Sequence, residues 1–384
     1  MQYRPYGKQG YDVSLLGMGC MRLPRITSDE GSVSVDREKS FEMIRYAADN
    51  GINYFDTAFV YHSGESEEIL GEALEGRRSR VKIATKQLFP TMQNSKEIMR
   101  RNLEVALKKL RTDHIDIYLI HSIGEGTWQG IKELGVIEEY EKFMSEGMIK
   151  AIGFSYHGDF PLFREVLGYY DWAMCQVQQN LLDSDDEVTE EGIREAGKKG
   201  CALVIMEPLR GGGLSKASKP VFDIYDRYSE KRTPAEWAFR FMIDKPEVST
   251  ILSGMSTIEQ IKDNIRIFSA PDVLPNCLNE TEHQLLAEAK AAYLSRTAIP
   301  CTGCEYCLPC PQGVDIPGIF AGYNEGFMFD SFENPMRSYM FIKTHGEGAE
   351  RCVECGACLT KCPQHIGIIE QLKLAGAKLD GWRE

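Results

Sequence analysis

The chain has 384 residues, 43% of them apolar and 26% charged, with a formal net charge of −13 and an isoelectric point near 5.2. That length suits one large domain and one small one, and the acidic balance excludes nucleic acid or an anionic membrane as a partner. No apolar run approaches membrane-spanning length, and Met1-Gln-Tyr-Arg-Pro-Tyr-Gly7 lacks the apolar core of a secretory signal, so the expected location is cytoplasmic, with no membrane partner.

Strand and helix patterns alternate over residues 1–270. A short strand over 12–16 precedes a helix from Ser40 that puts Phe41, Ile44 and Ala48 on one face and ends at Gly51. Strand 53–55 leads to helix 66–74, strand 81–85 to helix 95–110, and strand 115–120 to helix 136–145. Strand 149–154, segment 160–167, strand 173–177, helix 189–199 and strand 202–206 continue the series. Thr233-Pro-Ala-Glu236 is a capping box with proline at the first helical position, opening helix 234–243. Strand 249–252 and helix 256–268 complete it. Eight strand–helix units in this length predict an α/β fold, a (β/α)8 TIM barrel. A doubly wound sheet ranks second, because no Gly-x-Gly-x-x-Gly follows the first strand.

Asp56, Lys86 and His121 follow the second, third and fourth strands. In a barrel these are neighbouring positions on the C-terminal face, where active sites are built. Tyr61, five residues after Asp56, can fold back over the same mouth. A tyrosine is a poor acid at neutral pH, with a reference pKa of about 10. A nearby ammonium lowers that value, and a carboxylate holds the ammonium in place. The four residues make a coherent proton-transfer site for reducing a carbonyl. The plainer alternative is an inter-strand ion pair, a surface tyrosine and a core histidine.

The stretch Phe55-Asp-Thr-Ala-Phe-Val-Tyr61-His-Ser-Gly-Glu-Ser-Glu-Glu-Ile-Leu-Gly-Glu-Ala-Leu74, followed by Ile83-Ala-Thr-Lys86 and Tyr118-Leu-Ile-His121, resembles the motifs of the aldo-keto reductases. The likeness covers roughly residues 1–270 and implies the same barrel. It implies Tyr61 as general acid, Lys86 and Asp56 as its tuning pair, and His121 as the residue that orients the carbonyl. It also implies hydride transfer from a nicotinamide cofactor, NADP(H) or NAD(H), to a small-molecule carbonyl substrate. By the same resemblance Ser155, in Gly153-Phe-Ser-Tyr156, and Gln176 bind the carboxamide, with Tyr156 where asparagine is usual. Met206 stands where an aromatic residue often stacks on nicotinamide, and a thioether can pack on that ring face. Arg210, Gly211 and Gly213 form the loop next to the pyrophosphate, and Asp263 and Asn264 match the positions that hold adenine. Gly254 and Gln260 stand where Lys and Arg usually clamp a 2′-phosphate, which puts selectivity for the phosphorylated cofactor in doubt. Lys262 could substitute, or could be a solvated helix lysine.

Residues 271–299 read as a linker with a connecting helix, and 300–384 as a second domain. Of twelve cysteines, Cys20, Cys175, Cys201 and Cys277 are scattered and read as small core residues. The other eight fall in two runs: Cys301, Cys304, Cys307 and Cys310, then Cys352, Cys355, Cys358 and Cys362. The second run is the bacterial ferredoxin pattern C-x2-C-x2-C-x3-C-P, and the first is one residue shorter before its last cysteine. Zinc is the alternative, but four regularly spaced cysteines per run suit iron and sulfur better. Two runs joined by an apolar insert, with Gly313-Val-Asp-Ile-Pro317 after the first, resemble the all-helical ferredoxins. The expectation is a small, mainly α-helical ferredoxin-like iron–sulfur domain with two 4Fe-4S clusters. Ligation is expected to be crossed: Cys301, Cys304 and Cys307 with Cys362, and Cys352, Cys355 and Cys358 with Cys310.

The favoured function is a carbonyl-reducing oxidoreductase with Tyr61 as acid. The second is an electron-transfer protein linking pyridine nucleotide to a ferredoxin-like or flavin redox partner protein, and a third makes the clusters purely structural. Nicotinamide gives two electrons at once and a cluster takes one, so a direct relay would need a flavin. The loop 122–130 should shape the substrate pocket without naming a substrate.

Overall fold

A computed structural model describes residues 1–27, 33–89, 95–184 and 188–381. They form two compact units, Met1–Leu209 with Ala238–Leu278, and Arg210–Trp237 with Asn279–Glu384.

The first unit is a closed barrel of eight parallel strands. They are β1 (Leu16–Gly19), β2 (Tyr54–Asp56), β3 (Lys82–Leu88), β4 (Ile117–Ile123), β5 (Ile152–Tyr156), β6 (Met174–Gln178), β7 (Ala202–Met206) and β8 (Val248–Ser253). Each pairs with its successor, and β8 closes on β1 through Ile251 opposite Leu16. The expected strand over 12–16 is two elements. Asp12–Ser14 pairs antiparallel with Tyr3–Pro5, and the barrel strand starts only at Leu16. The break lies at Ser14, whose hydroxyl donates to the Leu16 carbonyl at 2.7 Å while its N–H donates to Asn53 Oδ1 at 2.6 Å. A side chain that bonds nearby backbone competes with the strand ladder.

That hairpin brings Tyr6 and Val13 into one buried cluster with Tyr54, Ala84, Ile117, Leu119 and Met174 from the strands. Arg4 is buried beside it and donates to the carbonyls of Ile243, Lys245 and Val248, so its charge is spread over three acceptors. Within residues 1–270 two helices escaped the sequence reading, Trp128–Leu134 and Lys219–Tyr225. The first runs through left-handed Gly135 (φ 66°) straight into Val136–Ser145, leaving no polar gap to mark it.

In the second unit the helices Glu280–Leu294, Ile316–Met328, Glu333–Thr344 and Ile368–Leu379 carry the C-terminal part. Their apolar faces meet in a core of Ile299, Val314, Ile316, Ile319, Phe320, Tyr339, Leu372 and Leu379, against which six of the eight clustered cysteines pack. Asn324 is buried there and clasps Ile299 from both sides, accepting from its N–H and donating to its carbonyl, each at 2.8 Å. A short repeat runs through the unit. Cys310-Pro-Gln-Gly313 and Cys362-Pro-Gln-His365 each close a turn with a hydrogen bond back to the cysteine carbonyl, and each leads three residues later into a helix.

Candidate active site and cysteine cups

The tetrad assembles at the C-terminal ends of β2, β3 and β4. Register puts Gly19 beside Asp56 and Asp56 beside Ala84, so the carboxylate and Lys86 project from adjacent strands into the barrel mouth. Lys86 Nζ donates to Asp56 Oδ1 at 2.5 Å, to the Thr57 carbonyl at 2.8 Å and to Tyr61 Oη at 3.4 Å. Tyr61 reaches the mouth because the chain turns sharply after β2, with His62 and Ser63 in the left-handed region (φ 50° and 55°). Its ring stands edge-on to His121, centroids 6.0 Å apart. The His121 end of β4 carries a register shift between Ile120 and Ile123, with Ser122 left-handed at φ 55°. Such a bulge re-aims a side chain, and here it is pinned by the Ser122 N–H donating to Ser155 Oγ at 2.8 Å.

Burial governs the electrostatics. Lys86 is 1% exposed, and desolvation disfavours its charge, but Asp56 and Tyr61 outweigh that and hold its pKa above the usual value. Desolvation pushes the Asp56 carboxyl up while Lys86 pulls it down. The Tyr61 phenol is raised by burial, and Lys86 opposes without winning. This reverses the direction expected from sequence, because spacing shows the ammonium and not the loss of water. Burial, then Lys86 and His157, lower His121 to about 3, leaving a neutral imidazole whose Nδ1 finds no partner among the described residues.

Ser155 and Gln176 lie opposite each other on β5 and β6. Gln176 Nε2 contacts Met206 Sδ at 3.7 Å, while its Oε1 is buried and has no hydrogen-bond partner among the described residues. Tyr156 turns the other way: its hydroxyl donates to the Asp159 carbonyl at 2.5 Å and its ring packs on Phe163. Asn264 is consumed inside the fold, donating to Ser253 Oγ at 3.0 Å, and Asp263 accepts from Arg266 at 3.0 Å. Gln260 accepts from the Ser256 N–H at 2.7 Å, and Lys262 lies over the Tyr46 ring at 5.7 Å. Arg210, Gly211 and Gly213 belong to the second unit. There the Asn334 amide donates to the Gly211 carbonyl at 3.0 Å, and Phe329 fills the space a Cβ on Gly213 would need, 2.6 Å away.

Three contributors were missed from sequence. The Thr57 carbonyl is a ligand of Lys86. Cys20 is fully buried and close enough to feel Asp56 and Lys86 electrostatically. The stem of Arg22 crosses Gly254, its Cδ 3.0 Å from where a Cβ would sit, and its guanidinium reaches Glu207 Oε1 at 3.7 Å. A Cβ at 254 would press on that stem and push it aside by a few tenths of an ångström. The run Gly17-Met-Gly-Cys20-Met-Arg22 carried the signal, since it ends the first barrel strand.

In the second unit the cysteines rim two cavities. Cys301, Cys304, Cys307 and Cys362 line one, with about 330 Å³ of empty space. Cys310, Cys352, Cys355 and Cys358 line the other, of about 360 Å³, which Cys307 also touches. Each cavity is therefore lined by three thiols of one run together with thiols of the other: Cys362 in the first, Cys310 and Cys307 in the second. Cys304 and Cys355 are exposed, and the other six are partly buried.

Comparison with known proteins finds a separate match for each end of the chain. The model of a 4Fe-4S dicluster domain matches residues 300–366. A probable aldo-keto reductase of Glycine max is 29% identical over 67% of this chain and 82% of its own length. An oxidoreductase of Bacillus subtilis, YqkF, is 26% identical over 70% of this chain and 92% of its own. The solved structure of the aldo-keto reductase AKR11C1 from Bacillus halodurans, in its holo form, is 27% identical and superposes with a TM-score of 0.62, covering 75% of this chain and 96% of that one. The aldo/keto reductase family model matches residues 15–275, and the chain is an oxidoreductase that belongs to the aldo/keto reductase family.

Proposed function

We propose that the protein reduces a small-molecule carbonyl with NADPH or NADH, Tyr61 acting as general acid. One observation carries this reading: Lys86 holds Asp56 and the Tyr61 hydroxyl at once in a water-poor mouth, with a neutral His121 facing the same ring. Reduced nicotinamide supplies the hydride when bound. The residues present fit it, because Gln176 Oε1 is a buried acceptor waiting for an amide donor, beside Ser155 and Met206. Tyr61 stays protonated until a carbonyl oxygen gathers charge, and then gives up its proton from Oη. Lys86, anchored by Asp56 and the Thr57 carbonyl, stabilises the phenolate that forms. The neutral His121 ring orients the carbonyl oxygen. With Gly254 and Gln260 supplying no cation, both cofactors are admissible.

For the C-terminal unit we propose two 4Fe-4S clusters with crossed ligation. The donors fit: eight thiols stand around two cavities, Cys307 at the edge of both. Among the described residues no three Cys, His, Asp or Glu side chains converge as for a single metal ion, and thiols spread around a cavity suit a cube better than zinc. Exposure of Cys304 and Cys355 favours exchange of single electrons with a redox partner protein over a purely structural role.

Tyr61→Phe tests the central claim. Carbonyl reduction should fall by ~10²–10⁴-fold, the usual worth of general acid catalysis, while fluorescence titration shows cofactor binding nearly unchanged. Turnover close to wild type would reject Tyr61 as the acid.

A further inference from the structure

The turn that carries Tyr61 is gripped by a lysine of the helix layer. His62, Ser63 and Gly64 follow Tyr61 with left-handed backbone, at φ 50°, 55° and 92°. Residues with side chains keep that conformation only where their surroundings over-determine it. Lys109, the last residue of helix Lys96–Lys109, supplies part of those surroundings. Its Nζ donates to the Gly64 carbonyl at 2.8 Å and lies over the Phe59 ring, 5.1 Å from the centroid. Phe59 precedes Tyr61 and Gly64 follows it, so one charge holds the turn on both sides of the tyrosine. Glu67 steadies the ammonium in turn. It is fully buried, accepts from Thr85 Oγ1 at 2.7 Å through one oxygen, and sets the other 3.9 Å from Lys109 Nζ. Thr85 is the β3 neighbour of Lys86, so this carboxylate is tied to the strand that carries the tetrad's own lysine. Close packing places Lys109 there: a Cβ on Gly71 would lie 2.3 Å from the Lys109 carbonyl oxygen.

Resting on the reading of Tyr61 as the acid, we infer that Lys109 is a positioning residue for carbonyl reduction, clamping the turn 57–65 so that the Tyr61 hydroxyl stays within reach of Lys86. The contact it protects has little slack. At 3.4 Å the Lys86–Tyr61 pair sits at the outer edge of a hydrogen bond, so a small shift of the turn separates them. Lys109 passes no proton and no electron; it acts through Tyr61 alone.

The test uses the whole chain, with para-nitrobenzaldehyde as the carbonyl probe and NADPH or NADH. Lys109→Met keeps the hydrocarbon stem and removes the charge. Its kcat should fall roughly 10–100-fold, the cost of a misplaced catalytic group, while KM and fluorescence-titrated cofactor binding stay within about twofold. Lys109→Arg keeps a cation and should recover most of that turnover. In a Tyr61→Phe background Lys109→Met should remove nothing further, because no hydroxyl is left to place. Wild-type kcat in Lys109→Met, or an equal loss on top of Tyr61→Phe, overturns the inference. Should Lys109→Met fail to fold, Lys109→Gln decides in its place: turnover should again fall, and full turnover overturns the clamp. Tyr61→Phe alone separates the two failures. Near-wild-type turnover there removes the reading of Tyr61 as the acid, whereas an inactive Tyr61→Phe beside a fully active Lys109→Met rejects the clamp and leaves that reading standing.

Discussion

At His121 the imidazole is held neutral by three effects acting in one direction: loss of water first, then the charge of Lys86 and then His157. Its folded pKa of about 3 lies below the reference of about 6.5 for an unfolded chain, so on acidification the unfolded state takes the proton first. The contribution of the neutral ring is complete above pH ~6.5 and is lost as pH falls towards 3, by up to a few kcal/mol. Urea midpoints measured from pH 7 down to 4 should therefore fall less steeply in His121→Phe than in wild type. Equal slopes would show that the ring titrates normally. Tyr61 teaches the complementary lesson. Which residues meet was legible in the spacing from Asp56 to Tyr61 and in the βα positions of Lys86 and His121. How strongly burial acts on them was not, because desolvation belongs to the assembled mouth and to no single residue.

Elements were legible where pattern and caps agreed, as in Pro234–Ile243, whose ends fall where the sequence put them, and in Glu280–Leu294, the connecting helix expected within 271–299. They were misread where side chains redirected the backbone: Ser14 splits one expected strand, and Gly135 hides the helix before it. The proline after each fourth cysteine carried the expectation of crossing, and the run before Arg22 marked the end of a barrel strand, but nothing in the sequence pairs Arg22 with Gly254, 232 residues away. In the second unit the helix Ile316–Met328 depends on one side chain in the same way. Asn324 supplies both partners of Ile299, two residues before Cys301, the first cysteine of the first run. Asn324→Leu would leave a buried donor and a buried acceptor unmet, at a cost of ~1–3 kcal/mol each. Iron content after anaerobic purification should drop, with barrel activity retained. Full iron occupancy and an unchanged melting curve would show that Ile299 finds other partners.

The molecule as a whole divides its chain unevenly, with Arg210–Trp237 counted among the residues of the cysteine unit. Removing iron with a chelator under anaerobic conditions should raise amide exchange in 210–237 and 279–381 while strands β1–β8 keep their protection. Uniform loss of protection along the chain would contradict two units of separate stability. One structural feature also bears on the unfolded chain. Because each cavity is lined by thiols of both runs, a bound cube ties together residues far apart in sequence: Cys310 to Cys352, and Cys307 to Cys362. Each tie closes a loop of some 40–55 residues, and a disulfide over that span would remove roughly 4 kcal/mol of chain entropy from the denatured ensemble. The cubes would then act as reversible crosslinks, adding to the stability of the unit's apolar core for as long as iron is retained.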